Sequence, residues 1–563
     1  MEKDIEEWEK EVEKMGVKNL GSMTQSGFAV KPVYTPADLE GIDYKDILVS
    51  GQYPYTRGYY PVHYQVNPPM MTQQMSYGSA RETMERREFL KKLGRRMFVG
   101  DEEDTFAMIL ALDLPTQTGF DADDPESRGK VCECGPSMST LKALEEIFEG
   151  SPPLSKTSTV FISFNAAEIC TAMYAVYCTD IRKEPLDSLV IWSASEHHCQ
   201  YHYDMASYPP VVGLKLKAEL VKWLRENCPQ SCSYVMDGYN VAEAGAIPSF
   251  EVALAFAEAI ATIEECIKIG LDPDDFLPSF YSHFHIGLNL FEEVSKFRAM
   301  RRLWAKIAKE RFGCKNPEAL KLKTFAPQCG GYETAAIEPL NNIIRITTMT
   351  LAGLLADQDG VHTICYDEPL GVPTDESIKI STRTLQILAE ETDILHVTDP
   401  LGGSYYVEWL TSKMEEEILK KLNKMEELGG FMKCLESGWI KAEVESQAYE
   451  RMRRLDKGED VRVGVNKYRI EDRPPHLKVI RRPPELEDRI IDEVKSYKRE
   501  RDHEKTRVAL NKLREAATEI ENDWPGSAGC LMPALIEAVR AKATLGECSR
   551  IFREVFGYGY FVG

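Results

Sequence analysis

Residues Cys232-Ser-Tyr-Val-Met-Asp-Gly-Tyr239 form a short β-type run, residues 249–269 repeat apolar side chains at helical spacing, and Ser279-Phe-Tyr-Ser-His-Phe-His285 form a second β-type run. A strand, an amphipathic helix and another strand in that order predict parallel strands joined by a right-handed crossover. The same unit recurs on both sides. The β-type runs are 106–113, 159–165, 189–195, 232–239, 279–285, 320–325, 361–367 and 394–398. Helical patterns at 139–149, 166–180, 213–227, 249–269, 288–311, 340–356 and 375–391 lie between them. Eight such units predict an α/β fold of the (β/α)8, or TIM barrel, type. A doubly wound open sheet is the other architecture that the alternation allows.

Outward from this block the pattern changes. Residues 3–15 read as a short amphipathic helix with Ile5, Trp8 and Val12 on one side. Residues 31–79 are rich in Pro, Tyr, Gly and Met and read as an extended arm. Residues 81–97 are basic and favour helix. Beyond about residue 412, charged helical patterns dominate at 413–427, 440–456, 484–515 and 532–556, broken by Pro pairs at 474–475 and 483–484. The expected organisation is an N-terminal helix and arm (1–80), a substrate-binding barrel (81–411) and a C-terminal helical belt (412–563).

A net charge of −22 argues against nucleic-acid or anionic-membrane surfaces, which reward basic patches. No apolar run reaches a membrane span and the acidic N-terminus has no secretion-signal layout. The 14 cysteines are scattered, without a CxxC pair, and read as free thiols in a reducing cytoplasm.

In a parallel barrel the chemistry belongs just after the strands. The sequence is polar there: Asp113 to Asp121, Asn165, Glu196 to Tyr203, Asp237 to Asn240 with Glu243, His283 and His285, Gln328, His362 with Asp367-Glu368, and Asp399 to Ser404. His197, His198, Cys199 and His202 include an i, i+4 pair, but no HExxH pattern or spaced partner accompanies it, so they read as pocket-lining residues and no metal is expected. His283 and His285 alternate on one strand and face the same way. Cys132 and Cys134 read as ordinary thiols; Gly330-Gly331 and Gly402-Gly403 read as turns. The acidic residues serve either as general acids and bases or as loop supports. Pattern alone therefore reaches a barrel enzyme, or a binding protein, with a polar pocket.

An ordered set of pieces goes further: Tyr55-Thr-Arg-Gly58, Asp113-Leu-Pro-Thr-Gln-Thr-Gly-Phe-Asp121, Gly238-Tyr-Asn-Val-Ala-Glu-Ala-Gly245, Arg302-Leu-Trp-Ala305, Asn341-Asn342, Arg345, His362-Thr363, Asp367-Glu368, Asp399 to Ser404, and Gly464-Val-Asn-Lys-Tyr468. Together they resemble the large subunits of methylmalonyl-CoA mutase and its isobutyryl-CoA and 2-hydroxyisobutyryl-CoA relatives, over about residues 30–560. The resemblance implies an isomerase that rearranges an acyl-CoA through radicals, with adenosylcobalamin over the barrel rim and the pantetheine arm along its axis. It implies cofactor contacts at Glu368, Gln328, Tyr239, Glu243 and Gln117, the last standing where the family has a corrin-side histidine. It implies substrate contacts at Tyr60, His63, Asn67, Asn165, Ser193, His283 and His285.

The departures concern the reacting end. Tyr203 stands where methylmalonyl-CoA mutases have the arginine that clamps the substrate carboxylate, Gln74 where they have a radical-guarding tyrosine, and Asn240 where they have a histidine at the thioester carbonyl. Asn67 and Ser279 replace arginines that help hold CoA. A buried carboxylate needs a cationic partner, so the expected substrate is an acyl-CoA other than methylmalonyl-CoA. No Asp-x-His-x-x-Gly motif occurs, which predicts a separate small subunit that ligates the cobalt. A two-plus-two heterotetramer and a GTPase chaperone for cofactor loading are the further partners implied. The competing expectations are a non-catalytic structural partner of a mutase and a mutase acting on a non-CoA substrate.

Overall fold

The computed structural model describes residues 22–31, 33–39, 41, 49–73, 76–94, 106–194, 207–470 and 480–559, with Lys10 and Lys14; at 22, 106–108, 193 and 194 it describes backbone alone. The helix expected at 3–15 lies outside the described residues.

The described fold is α/β, with parallel strands separated by helices. Phe106–Ala111 pairs in parallel with Thr157–Ile162, which pairs with Val190–Ala194. A parallel bridge from Trp192 to Cys232 leads on to Tyr234–Asp237, which pairs with Phe280–His283. That strand resumes at His285–Ile286, and its two parts pair with Lys323–Thr324 and Gln328–Cys329. Gln328 then pairs with His362 of Gly360–His362, whose other neighbour is Met70–Thr72. Among the described residues no ladder joins Met70–Thr72 to Phe106–Ala111, so a closed barrel is not part of the described pairing.

Seven of the expected strands therefore stand in the expected order, and the eighth position is filled from elsewhere. Ile394–His396 is a single 3-10 turn, following a helix end where Thr392 Oγ1 donates to the Leu388 carbonyl at 2.6 Å. Its neighbour Val397 is 57% exposed, so the short apolar run 394–398 does not line a sheet. The place beside Gly360–His362 belongs to Met70–Thr72, which lies in the segment read as an arm. Asn67-Pro68-Pro69 hides it from the sequence, although proline just before a strand removes no ladder donor from the strand itself. The run at 320–325 is likewise shorter and continues beyond Ala326-Pro327.

The crossover helices follow their apolar periodicity: Ala167–Val176, Pro210–Asn227, Pro248–Lys268, Leu290–Lys306, Asn342–Leu355 and Asp375–Glu390. Proline at the first turn suits Pro210 and Pro248, where a backbone donor has no partner anyway. The basic segment becomes Ala80–Lys92, started by a capping box between Ser79 and Glu82. The C-terminal region is helical, with two breaks that periodicity alone missed. Asp502 caps His503–Asp523 by accepting from the Lys505 amide at 3.0 Å, and Thr544 forms a capping box with Glu547 on Leu545–Phe556.

Several of the quoted motifs turn out to be joints between layers. Arg298, fully buried on Leu290–Lys306, pairs with Asp399 and with Glu408 (2.6 Å). Arg57 reaches the same Asp399 at 2.8 Å, and Arg301 donates to the carbonyls of Tyr55 (3.3 Å), Thr56 (3.2 Å) and Ala356 (2.8 Å). The Tyr55–Gly58 and Asp399–Ser404 motifs thus meet over one helix. Buried guanidinium groups are tolerable only with such a full set of acceptors. Asp121 does the same for the C-terminal helices, accepting from Thr544 Oγ1 (2.5 Å) and the Gly546 amide (2.7 Å), beside Lys498 (2.9 Å). The described cysteines other than Cys134 carry free thiols, and no described helix is long and apolar enough to cross a membrane.

Candidate active site

Residues that follow parallel strands collect at one end of the array, here called the rim. Tyr234–Asp237 delivers Asp237, buried, and the short helix Tyr239–Glu243 begins two residues later. Asp237 Oδ1 faces His283 Nδ1 at 2.8 Å, and its Oδ2 accepts from both the backbone and the side-chain amide of Asn240, at 3.2 Å each. One buried carboxylate therefore orients two of the expected site residues. With Nδ1–H directed at Asp237, the imidazole of His283 keeps Nε2 as its other hydrogen-bonding atom.

Tyr239 stands beside both histidines, its ring centroid 5.3 Å from that of His283 and 6.1 Å from that of His285. Gln328 Nε2 donates to the Tyr239 hydroxyl at 2.7 Å. His285 Nε2 faces Glu243 Oε1 at 3.3 Å, while Glu243 Oε2 accepts the Tyr332 amide at 2.9 Å. Burial lowers the basicity of His285, but Glu243, with Glu251 and Glu293 behind it, outweighs this and raises its pKa. Glu368, after Gly360–His362, is pushed up to about 7 by burial and then by the charges of Glu243 and Asp367. Its carboxyl makes no side-chain hydrogen bond among the described residues.

Gly330-Gly331, read as a turn, has a more specific role. Gly330 has an ordinary φ of −71°, yet a Cβ there would lie 1.9 Å from His285 Nε2. At Gly331 a Cβ would lie 3.0 Å from Glu243 Oε2. At Gly330 the backbone passes so close to the histidine ring that only glycine fits, while a side chain at Gly331 would press on the Glu243 carboxylate.

Beneath the rim lies a charged cluster that periodicity did not reveal. Glu251 Oε1 accepts the His285 amide at 2.8 Å, and its Oε2 faces Lys296 Nζ at 2.9 Å. Lys296 also meets Glu293 Oε2 at 2.8 Å and donates to the His285 carbonyl at 2.6 Å. All three charged groups are essentially fully buried. Their only sequence signal is that charges occupy inward positions of two helices otherwise apolar on that face.

The structure thus brings together Tyr239, Asn240, Glu243, His283, His285, Gln328 and Glu368. Gln117 and Asn165 hold loops nearby: Gln117 Nε2 donates to the Leu112 carbonyl (2.8 Å), Asn165 Nδ2 donates to the Gln117 carbonyl (3.2 Å), and Asn165 Oδ1 accepts the Ser207 amide (3.0 Å). Ser193 lies on Val190–Ala194, with its side chain outside the description. Gln74, Tyr203 and the group His197, His198, Cys199 and His202 lie outside the described residues.

Tyr60, His63 and Asn67 belong to the opposite end, the base, where strands begin. His63 Nδ1 is 3.0 Å from Asp357 and its Nε2 3.3 Å from Asp359, the two acids that precede Gly360–His362. Its ring stacks on Tyr64 at 4.5 Å and lies 4.8 Å from Tyr60. Burial opposes its charge, but the two aspartates overcome this and raise the imidazole to about 9. The Asn67 amide donates to the His63 carbonyl at 2.8 Å. Ser279 Oγ bonds Ser233 Oγ at 2.5 Å at the same end.

Comparison with known proteins agrees with the ordered motifs. The family described as methylmalonyl-CoA mutase matches residues 23–558. The 2-hydroxyisobutanoyl-CoA mutase large subunit of Aquincola tertiaricarbonis is 32% identical, over 95% of this chain and 92% of its own. The methylmalonyl-CoA mutase of Escherichia coli (strain K12) is 31% identical over 98% of this chain and 75% of its own; that of Homo sapiens, mitochondrial, is 30% identical over 95% and 68%.

Proposed function

The chain belongs to the methylmalonyl-CoA mutase family of isomerases, and from that premise we propose that it is the substrate-binding large subunit of an adenosylcobalamin-dependent carbon-skeleton mutase acting on an acyl-CoA other than methylmalonyl-CoA. The single observation that carries the reading is the rim itself: Tyr239, Glu243, Gln328 and Glu368 converge there from separate strand ends. A cofactor with hydroxyl and amide groups fits this donor set. Glu368 offers a carboxyl without a described side-chain partner, and Glu243 Oε1 and His285 Nε2 stand 3.3 Å apart beside it. When bound, adenosylcobalamin supplies homolytic cobalt–carbon cleavage, which starts the 1,2-rearrangement.

In this reading Glu368, Gln328, Tyr239, Glu243 and Gln117 hold the cofactor. Asn240 and His283, both fixed by Asp237, face the reacting acyl group; Tyr203 and Gln74 are assigned to the same step from the resemblance alone. Asn240 holds the carbonyl by hydrogen bonding and, unlike an imidazolium, does not donate a full proton. Tyr60, His63, Asn67, Asn165, Ser193 and His285 serve the substrate side. The reading includes a closed (β/α)8 barrel, a small cobalamin-binding subunit in a two-plus-two assembly, a GTPase chaperone and a cytoplasmic setting. The relative that this chain covers to 92% is named a large subunit, which supports the two-component arrangement.

The test is electron paramagnetic resonance on the chain combined with a cobalamin-binding small subunit, adenosylcobalamin and a panel of acyl-CoA esters. A cob(II)alamin–radical signal and isomerised product with an uncharged ester, and none with methylmalonyl-CoA, is expected. Family-typical turnover of methylmalonyl-CoA overturns the substrate assignment. Silence with every ester, despite cobalamin binding, overturns the activity.

A further inference from the structure

The interior between base and rim contains an aromatic layer. Trp192 on Val190–Ala194 lies with its ring centroid 4.2 Å from Tyr281 on Phe280–His283, and 5.0 Å from Phe325 just past Lys323–Thr324. In strand order these positions are two and three places from Trp192. In a flat sheet such strands stand about 10 and 14 Å apart. Ring contact therefore means that the sheet curls and that the three side chains meet across its concave side. Trp192 and Phe325 are each only 7% exposed, so they fill that space.

Polar groups flank the layer on both sides. His283 is two residues beyond Tyr281 on the same face and is bonded to Asp237 at the rim. On the base side, Lys323 Nζ lies 5.7 Å from the Tyr281 ring, and burial, then Cys232, Asp359 and Tyr60, raise the Tyr281 phenol pKa. A ligand that runs along the concave side, with its reacting group at the rim and its other end at the base, crosses this layer.

We propose that Trp192 is a specificity-determining residue: with Tyr281 and Phe325 it occupies the concave side of the sheet, and a ligand that crosses that space between rim and base binds by displacing it. This rests on the mutase reading in one respect, that an acyl thioester on a long carrier arm is the substrate. The layer selects against such arms when their acyl group does not hold the open arrangement, because displacing Trp192 breaks its ring contacts with Tyr281 and Phe325 and opposes binding.

The test uses the full-length chain and coenzyme A itself as the probe, by isothermal titration calorimetry. Trp192→Ala is expected to bind coenzyme A about ten-fold more tightly than the wild type, with Trp192→Phe in between. Binding by Trp192→Ala that is equal or weaker, or undetectable in both proteins, overturns the proposal. Circular dichroism confirms the fold, and Tyr281→Ser, which removes the other half of the stack, replaces the tryptophan variant if the latter does not fold. The readout needs no turnover. If the mutase reading alone fails, no ester gives product while Trp192→Ala still tightens binding.

Discussion

Replacing Lys296 with methionine removes a buried cation from a cluster that positions His285. Lys296 stands 2.9 Å from Glu251 Oε2 and 2.8 Å from Glu293 Oε2, and donates to the His285 carbonyl at 2.6 Å. The methionine fills most of the volume, so the loss is electrostatic rather than a cavity. Removing one partner of a buried ion cluster costs about 3–5 kcal/mol, because the remaining carboxylates stay desolvated. An unfolding entropy of about 2.1 cal/mol/K per residue gives about 1.2 kcal/mol/K for a 563-residue chain unfolding as one unit. The expected fall in Tm is then about 2.5–4 °C, and larger if a smaller unit unfolds.

The effect carries a pH signature. Burial raises the Glu251 carboxyl, and Lys296 is the largest influence holding it down. Without Lys296 the carboxyl rises further and takes up a proton. A raised carboxyl supports the folded state below its unfolded pKa, and that support is lost as pH rises through the folded value. The deficit should therefore be smaller at pH 5 than at pH 8. Adding Glu251→Gln, which removes one of the uncompensated charges, should recover part of it. Thermal scans at a fixed rate on the three proteins at both pH values decide the matter. An equal deficit at pH 5 and pH 8, with no recovery in the double variant, would refute the reasoning.

His63→Gln should destabilise by about 3 kcal/mol at pH 7, the worth of raising an imidazole from 6.5 to about 9. That contribution is fully present below pH 6.5 and disappears as pH rises through about 9, so denaturant titrations at pH 7 and pH 10 should show the deficit shrinking; a constant deficit would contradict it. Gly330→Ala should shift His285 off Glu243, because its Cβ would otherwise lie 1.9 Å from Nε2. The expected result is at least about ten-fold weaker cofactor affinity with a Tm within a few degrees of wild type; unaltered affinity in a cobalamin absorbance titration would remove Gly330 from the site.

The sequence by itself determined the types and order of the elements between residues 106 and 391, because helical and strand periods are local properties of the chain. It also determined the family, since ordered motifs such as Asp113 to Asp121 and Gly238 to Gly245 survive without any knowledge of contacts. Tertiary structure alone decided which run occupies the place beside Gly360–His362: Met70–Thr72 took it, and residues 394–398 did not, because a strand is defined by its neighbour as much as by its own residues. It alone showed that Arg57, Arg298 and Asp399, far apart in sequence, form one buried joint, and that Glu251 and Lys296 set the position of His285. Burying charge is possible only where distant partners meet, and a linear pattern does not record who those partners are. The aromatic layer has the same origin: Trp192, Tyr281 and Phe325 read as separate apolar residues on three strands until the curvature of the sheet brings their rings together.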